Sequence, residues 1–154
     1  MQKVFVGEDD IEQKSVFDLF ELEGQYDTVV CRHSLTLLEP DVIPKAFEKL
    51  ASLVKDFGEL WVISPALEWF ATQCYIDSPS PVFHQVMFGN PETHNRCGFT
   101  LAWLRALVEM QGMSIQRTNQ EVWEIPYGDQ KLSVLQNVVI GRKYVLPQSD
   151  TTID

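Results

Sequence analysis

No run in these 154 residues approaches the roughly 20 consecutive apolar residues of a membrane-spanning helix. The opening residues, MQKVFVGEDD, lack a signal-peptide apolar core and turn acidic almost at once. Both absences make the cytosol the expected compartment. Cysteine is scarce, and Cys31, Cys74 and Cys97 are odd in number and widely spaced. That excludes a disulfide framework and lacks the close pairs of a zinc site. Basic residues are also few: 12 Lys and Arg stand against 22 Asp and Glu, a formal net charge of -10. Such a chain is a poor general binder of nucleic-acid backbone, whose phosphates need clustered Lys and Arg, which leaves nucleic acid only as a locally held substrate. No two of the eight glycines are close enough for a G-x-G turn. Internal repeats, low-complexity segments and the local signatures of a nucleophilic triad, a metalloprotease or a P-loop are absent as well.

What is present suits one globular domain. Apolar residues make up 45% of the chain, enough for a core and too many for global disorder. The expected organisation is a single α/β domain over 1–145 with a frayed tail over 146–154. Lys3 to Val6 reads as a short strand, followed by Gly7 and the acids Glu8, Asp9 and Asp10. Ile11 to Leu22 reads as a short helix with Val16, Phe17 and Phe20 on one face, ended by Gly24. Thr28 to Cys31 is a continuous run of the kind that a strand buried on both faces shows, so Cys31 is expected as a buried thiol. A helix follows from Pro40 and Asp41, with Asp41 as N-cap, Pro44 in the first turn and a stripe of Ile43, Phe47, Leu50 and Val54. Gly58 is placed to end it as the C′ residue, and Leu60 to Ile63 gives the next strand. Strand, helix, strand in this order over residues 26–65 is a parallel crossover unit.

Residues 66–99 are rich in aromatics and broken by Pro79, Pro81 and Pro91, which predicts a helix fragment and a long loop, a candidate lid. Thr100 caps a last helix carrying Leu101, Leu104, Leu107 and Val108, stopped by Gly112. Ser114 to Ile125 and Leu132 to Tyr144 read as an antiparallel pair around a turn at 126–129.

Chemistry in an α/β sheet sits at the carboxyl ends of the strands. Arg32, His33 and Ser34 follow Cys31 at such an end. They predict His33 as a general base or substrate contact, Arg32 as the group that orients an anion, and Ser34 as a substrate contact. The same three residues would also serve as a polar turn that caps the sheet. Glu8, Asp9 and Asp10 would hold an adenine or ribose, or form a solvated loop that N-caps the next element. No further acids complete a metal site around them. His84 and His94 lie in the aromatic segment as substrate contacts or surface loop residues. Tyr75, with Trp69, Phe70 and Phe83, would line a pocket or close the open face of the sheet.

Four segments in order carry a family resemblance. QYDTVVCRHSLTLLEP, KAFEKLASLVKDFGELWVISP, FTLAWLRALVEMQGMSIQ and NVVIGRKY together resemble the C-terminal half of the class I S-adenosylmethionine-dependent methyltransferases. The resemblance covers roughly residues 26–144 and implies a truncated Rossmann-like α/β sheet, mostly parallel, with a C-terminal antiparallel hairpin. KVFVGEDD resembles the family's adenine-contacting segment, with Glu8 or Asp9 in the acidic position. His94, just before Phe99-Thr100, resembles a histidine near the family's substrate pocket. The resemblance implies S-adenosylmethionine as methyl donor and an acceptor held in line with it. The family's Gly-rich donor turn has no counterpart here, so less than half of the donor site is implied. Three functions follow as expectations: a small methyltransferase, a non-catalytic interaction or regulatory module of the same fold, or an unrelated small α/β binding protein. A sheet lacking its first strands leaves an edge open, which predicts a homodimer or a partner subunit.

Overall fold

The computed structural model describes residues 3–7, 13–76, 80–90 and 94–144. Glu8, Asp9, Asp10, Ile11 and the expected tail at 146–154 lie outside the described residues. The strands are β1 (Lys3–Gly7), β2 (Gln13–Lys14), β3 (Tyr26–Arg32), β4 (Val54–Pro65), β5 (Ser114–Tyr127) and β6 (Gln130–Arg142). The helices are α1 (Ile43–Ser52), α2 (Leu67–Cys74), α3 (Phe83–Phe88) and α4 (Leu101–Glu109). One mixed sheet runs in the order β2-β1-β3-β4-β6-β5. The pairs among β2, β1, β3 and β4 are parallel, while β6 pairs antiparallel with both β4 and β5. This is the α/β sheet with a closing hairpin that the sequence predicts.

The core explains why these runs become strands. Val29 and Cys31 of β3, Leu60 and Val62 of β4 and Val139 of β6 point to one face of the sheet. They pack there on Phe47 and Leu50 of α1 and on Leu104, Leu107 and Val108 of α4. The run 28–31, β-branched at Thr28, Val29 and Val30, therefore forms a strand because alternate residues meet two helices. Thr100 caps α4 as expected, its hydroxyl accepting from the Trp103 N–H at 3.1 Å. A second cluster joins α2 and α3 to the far end of the hairpin through Trp69, Phe70, Val86, Ile125 and Val134.

Three local expectations are corrected. Within the expected helix at 11–22, the described residues 13–22 do not form a helix with Val16, Phe17 and Phe20 on its buried face. Instead a 3-10 turn spans Val16–Glu21, burying Val16 and Leu19 and leaving Phe17 and Phe20 exposed. The tighter turn puts residues three apart on one side. Asp41 is not an N-cap: a 3-10 turn over Pro40–Val42 leads straight into α1, whose N-cap is Val42. Gly58 does not end α1, which stops at Ser52. It lies inside β4, where a bulge takes up the residues between Val54 and Glu59 while β3 advances only from Tyr26 to Thr28. A Cβ on Gly58 would stand 2.7 Å from the Asp27 carbonyl oxygen, so the glycine serves a close backbone approach.

Candidate functional site

Strand order reverses between β1 and β3. The chain leaves β1 toward β2 on one side and leaves β3 toward β4 on the other. The crevice outside the carboxyl ends of two such strands is where open α/β sheets bind ligands. Gly7 and Arg32 are register partners at those two ends.

Immediately after Arg32 the backbone turns sharply. His33 has φ 54°, a left-handed conformation uncommon for a residue with a Cβ. Its N–H still donates to the Ile63 carbonyl at 2.8 Å, so the strain falls on one residue at the end of the β3–β4 ladder. The ring is fixed from the hairpin. Nε2–H donates to Gln136 Oε1 at 2.9 Å, and the imidazole lies against the Trp123 indole with centroids 4.0 Å apart. Strained backbone of this kind persists where the surroundings over-determine it, and it clusters at functional sites.

Beneath that ring is a cavity of about 200 Å³. Arg32 and His33 form one wall, Thr36 and Leu37 the next, and Pro65 at the end of β4 a third. Val86, Gln85 and Asn90 close it from α3 and the loop beyond, and Trp123 and Ile125 cover it from β5. The loop wall is pinned rather than free. Thr36 Oγ1 donates to Asn95 Oδ1 at 2.8 Å, and Asn95 Nδ2 donates to the Val86 carbonyl at 2.9 Å. The N–H groups of Arg96 and Cys97 both donate to the Thr36 carbonyl. The stretch 66–99, expected as a lid, is thus tied in its last part to the turn after β3.

The predicted residues separate. Arg32 and His33 line the cavity together. Ser34 does not line it: its side chain is buried in the core, with Oγ 3.4 Å from Cys31 Sγ. Burial pushes the Cys31 thiol up to about 12, with the Ser34 hydrogen bond pulling slightly the other way, so Cys31 is a packing residue and not a nucleophile. His94 is exposed and lies beside the cavity, its backbone bridging to Gly89. Tyr75 is 90% exposed at the end of α2, outside the lining. His84 stacks on Phe88 at the surface. Trp69, Phe70 and Phe83 pack on one another under the hairpin. Glu8 and Asp9 lie outside the described residues.

Sequence reading missed Trp123, Gln136, Pro65 and the Thr36–Asn95 pair. One signal was present: Gln136 and Asn137 are two adjacent amides inside the otherwise apolar run Val134–Ile140, and both are buried. Among the described residues no group of His, Cys, Asp or Glu is placed to hold a metal. Nor is any helix long and apolar enough to cross a membrane.

The cavity does not fit a whole molecule of S-adenosylmethionine. Pockets for ligands of that size measure roughly 300–1,000 Å³. Among the described residues no carboxylate lines this one to meet ribose hydroxyls. At the crevice itself, the described residues offer the end of β1 at Gly7 and the Arg32 fork, which suits a carboxylate.

Comparison by sequence finds no matching family model and no matching curated protein. Comparison of structures does find likeness. TehB from Haemophilus influenzae superposes with a TM-score of 0.56 at 12% identity, over 85% of this chain and 40% of that one. A SAM-dependent methyltransferase from Methanosarcina mazei gives 0.54 at 16% identity, over 87% and 66%. Magnesium protoporphyrin IX methyltransferase from Synechocystis, with SAH bound, gives 0.50 at 18% identity, over 85% and 49%. The chain spans less than two thirds of the length of each of these proteins. Its strand order and these superpositions together show that it has the fold of the class I S-adenosylmethionine-dependent methyltransferases.

Proposed function

We propose that this methyltransferase-like protein binds S-adenosylmethionine in the crevice outside β1 and β3 and presents an acceptor in the cavity beneath Trp123. The observation that carries the reading is the reversal of strand order at β1 and β3, with Gly7 and Arg32 side by side at the opening. Bound there, the donor would supply the methyl group. The protein's own part is to position: Arg32 and His33 stand between crevice and cavity, and the Gln136 bond and Trp123 stack hold the imidazole in one orientation. His33 is then the group placed to contact or take a proton from an acceptor, and Arg32 the group placed to orient it. Cytosolic location belongs to the same reading.

A second reading, a binding or regulatory module that performs no transfer, is favoured by one observation. Gly7 has no second glycine near it, so the turn after β1 lacks the residue type that lets backbone N–H groups close on a ligand. In either case the edge at β2, only Gln13 and Lys14, is the place for a homodimer or a partner subunit to pair, and light scattering that gives a clean monomer would count against this. Calorimetric titration with S-adenosylhomocysteine tests binding itself. A saturable 1:1 heat supports donor binding, and methyl transfer to an acceptor then separates an enzyme from a module that performs no transfer. No heat at millimolar ligand contradicts the proposal.

A further inference from the structure

We infer that the cavity under Trp123 binds a small planar carboxylate, a flat apolar body carrying one anionic group held by Arg32. This rests on the reading of the cavity as the acceptor site and names the chemistry it takes. Among the described residues that line it, Arg32 is the one formally charged side chain. It enters none of the ion pairs among the described residues. On a chain of net charge -10, a guanidinium at the mouth of a concave site with no acid among the described residues of its walls is a local reversal of sign. It draws an anion, and its planar fork matches a carboxylate in two parallel hydrogen bonds.

Size and shape narrow the class. About 200 Å³ holds a ring with one substituent and leaves no room for a nucleotide. The Trp123 indole covers one side, and Leu37, Val86 and Ile125 supply aliphatic surface. A flat apolar body fills such a slot beside the indole. The polar pair in the wall is already committed, because Thr36 donates to Asn95 and Asn95 donates to the Val86 and Met87 carbonyls. Those groups stiffen the wall and offer no spare donors to a second anionic oxygen cluster. A phosphate would call for further cations or a row of backbone N–H groups, and among the described lining residues Arg32 is the one formal cation. One guanidinium suits the single charge of a carboxylate.

Two-dimensional NMR of the whole protein tests this without any methyl donor, so a failed donor titration and a failed acid titration are told apart. The probes are benzoate, benzamide (the same shape without the charge) and inorganic phosphate. The Trp123 indole N–H, assigned with Trp123→Phe, and the Arg32 Nε–H should shift saturably with benzoate. Benzamide should bind about 10-fold more weakly, the size of effect expected when a hydrogen bond to a charged group is lost. Arg32→Gln should erase that preference. Arg32→Lys, which keeps the charge and loses the fork, should fall between. The side chain is exposed, so both variants are expected to keep the wild-type melting temperature. Equal binding of benzoate and benzamide, a preference that survives Arg32→Gln in the folded variant, tighter binding of phosphate, or no shift at Trp123 each overturns the inference.

Discussion

His33 shows how much a single residue can be asked to do at a strand end. Its positive φ would suit glycine, yet a histidine is held there by Gln136 and Trp123. Replacing it separates backbone strain from side-chain contacts. His33→Ala loses the hydrogen bond and the ring contact and keeps a Cβ in the left-handed region. His33→Gly loses the same contacts and relieves the strain. The glycine variant should therefore be the more stable of the two by about 1 kcal/mol in urea unfolding, a comparison in which the lost contacts cancel. Equal stability, or a more stable alanine variant, would show that the turn carries no strain. Arg32 and His33 were legible in the sequence because they follow an apolar strand directly. Ser34 reads as their neighbour but is turned inward by the same bend and ends beside Cys31. Trp123 and Gln136 were not legible as site residues. They reach His33 only because the hairpin folds back to lay β6 along β4, and Gln136 is 103 positions away in the chain.

Among the elements, α2, α4, β5 and β6 are joined by one polar cluster next to the site. Asn137 Nδ2 donates to Glu68 Oε1 and to the Phe99 carbonyl, each at 3.1 Å, and its Oδ1 accepts from Gln120 Nε2 at 3.0 Å. The other carboxylate oxygen of Glu68 accepts from the Leu101 N–H at 3.0 Å, satisfying one of the open donors at the start of α4. An acid at that helix end is also favoured by the helix dipole. Asn137 is fully buried, so Asn137→Ala leaves the Phe99 carbonyl without this donor and should cost about 1–3 kcal/mol by chemical denaturation. A loss below about 0.5 kcal/mol, the range of neutral surface changes, would show that the cluster contributes nothing to stability. Helix α4 and the hairpin were readable from periodicity and from Thr100, because those signals are local. The end of α1 was misread because Gly58 looks like a helix stop. The tightest clash that requires glycine there comes from Asp27 on a neighbouring strand, with Val54 and Lys55 of the bulged β4 close behind.

At the scale of the molecule, α1, α4 and the 3-10 turn at Val16–Glu21 pack on one face of the sheet. On the other face Glu59 of β4 accepts from the Trp61 indole at 2.8 Å and pairs with Arg142 of β6. The Trp61 hydrogen bond first, and then Arg142, hold the Glu59 carboxyl below its ordinary 4.5. The unfolded chain therefore takes up a proton at this residue before the folded one does. Its contribution to stability is present above the unfolded value and is lost as pH falls through the lower folded value. Glu59→Gln should lower the melting temperature at neutral pH, and the gap to wild type should narrow on acidification through that window. A gap that stays constant from neutral to acid pH would contradict the assignment. The fold class was legible because strand, helix and strand occur in order, and the parallel pairs confirm it. The position of the crevice was not, because the switch point depends on which strands become neighbours.

The central claim is that the donor lies at the carboxyl ends of β1 and β3. Amide NMR during titration with S-adenosylhomocysteine tests it most directly. Saturable shifts centred on Gly7 and on Arg32, His33 and Ser34 are expected. No shifts at millimolar ligand, or shifts confined to the far end of the hairpin around Gly128, would contradict it.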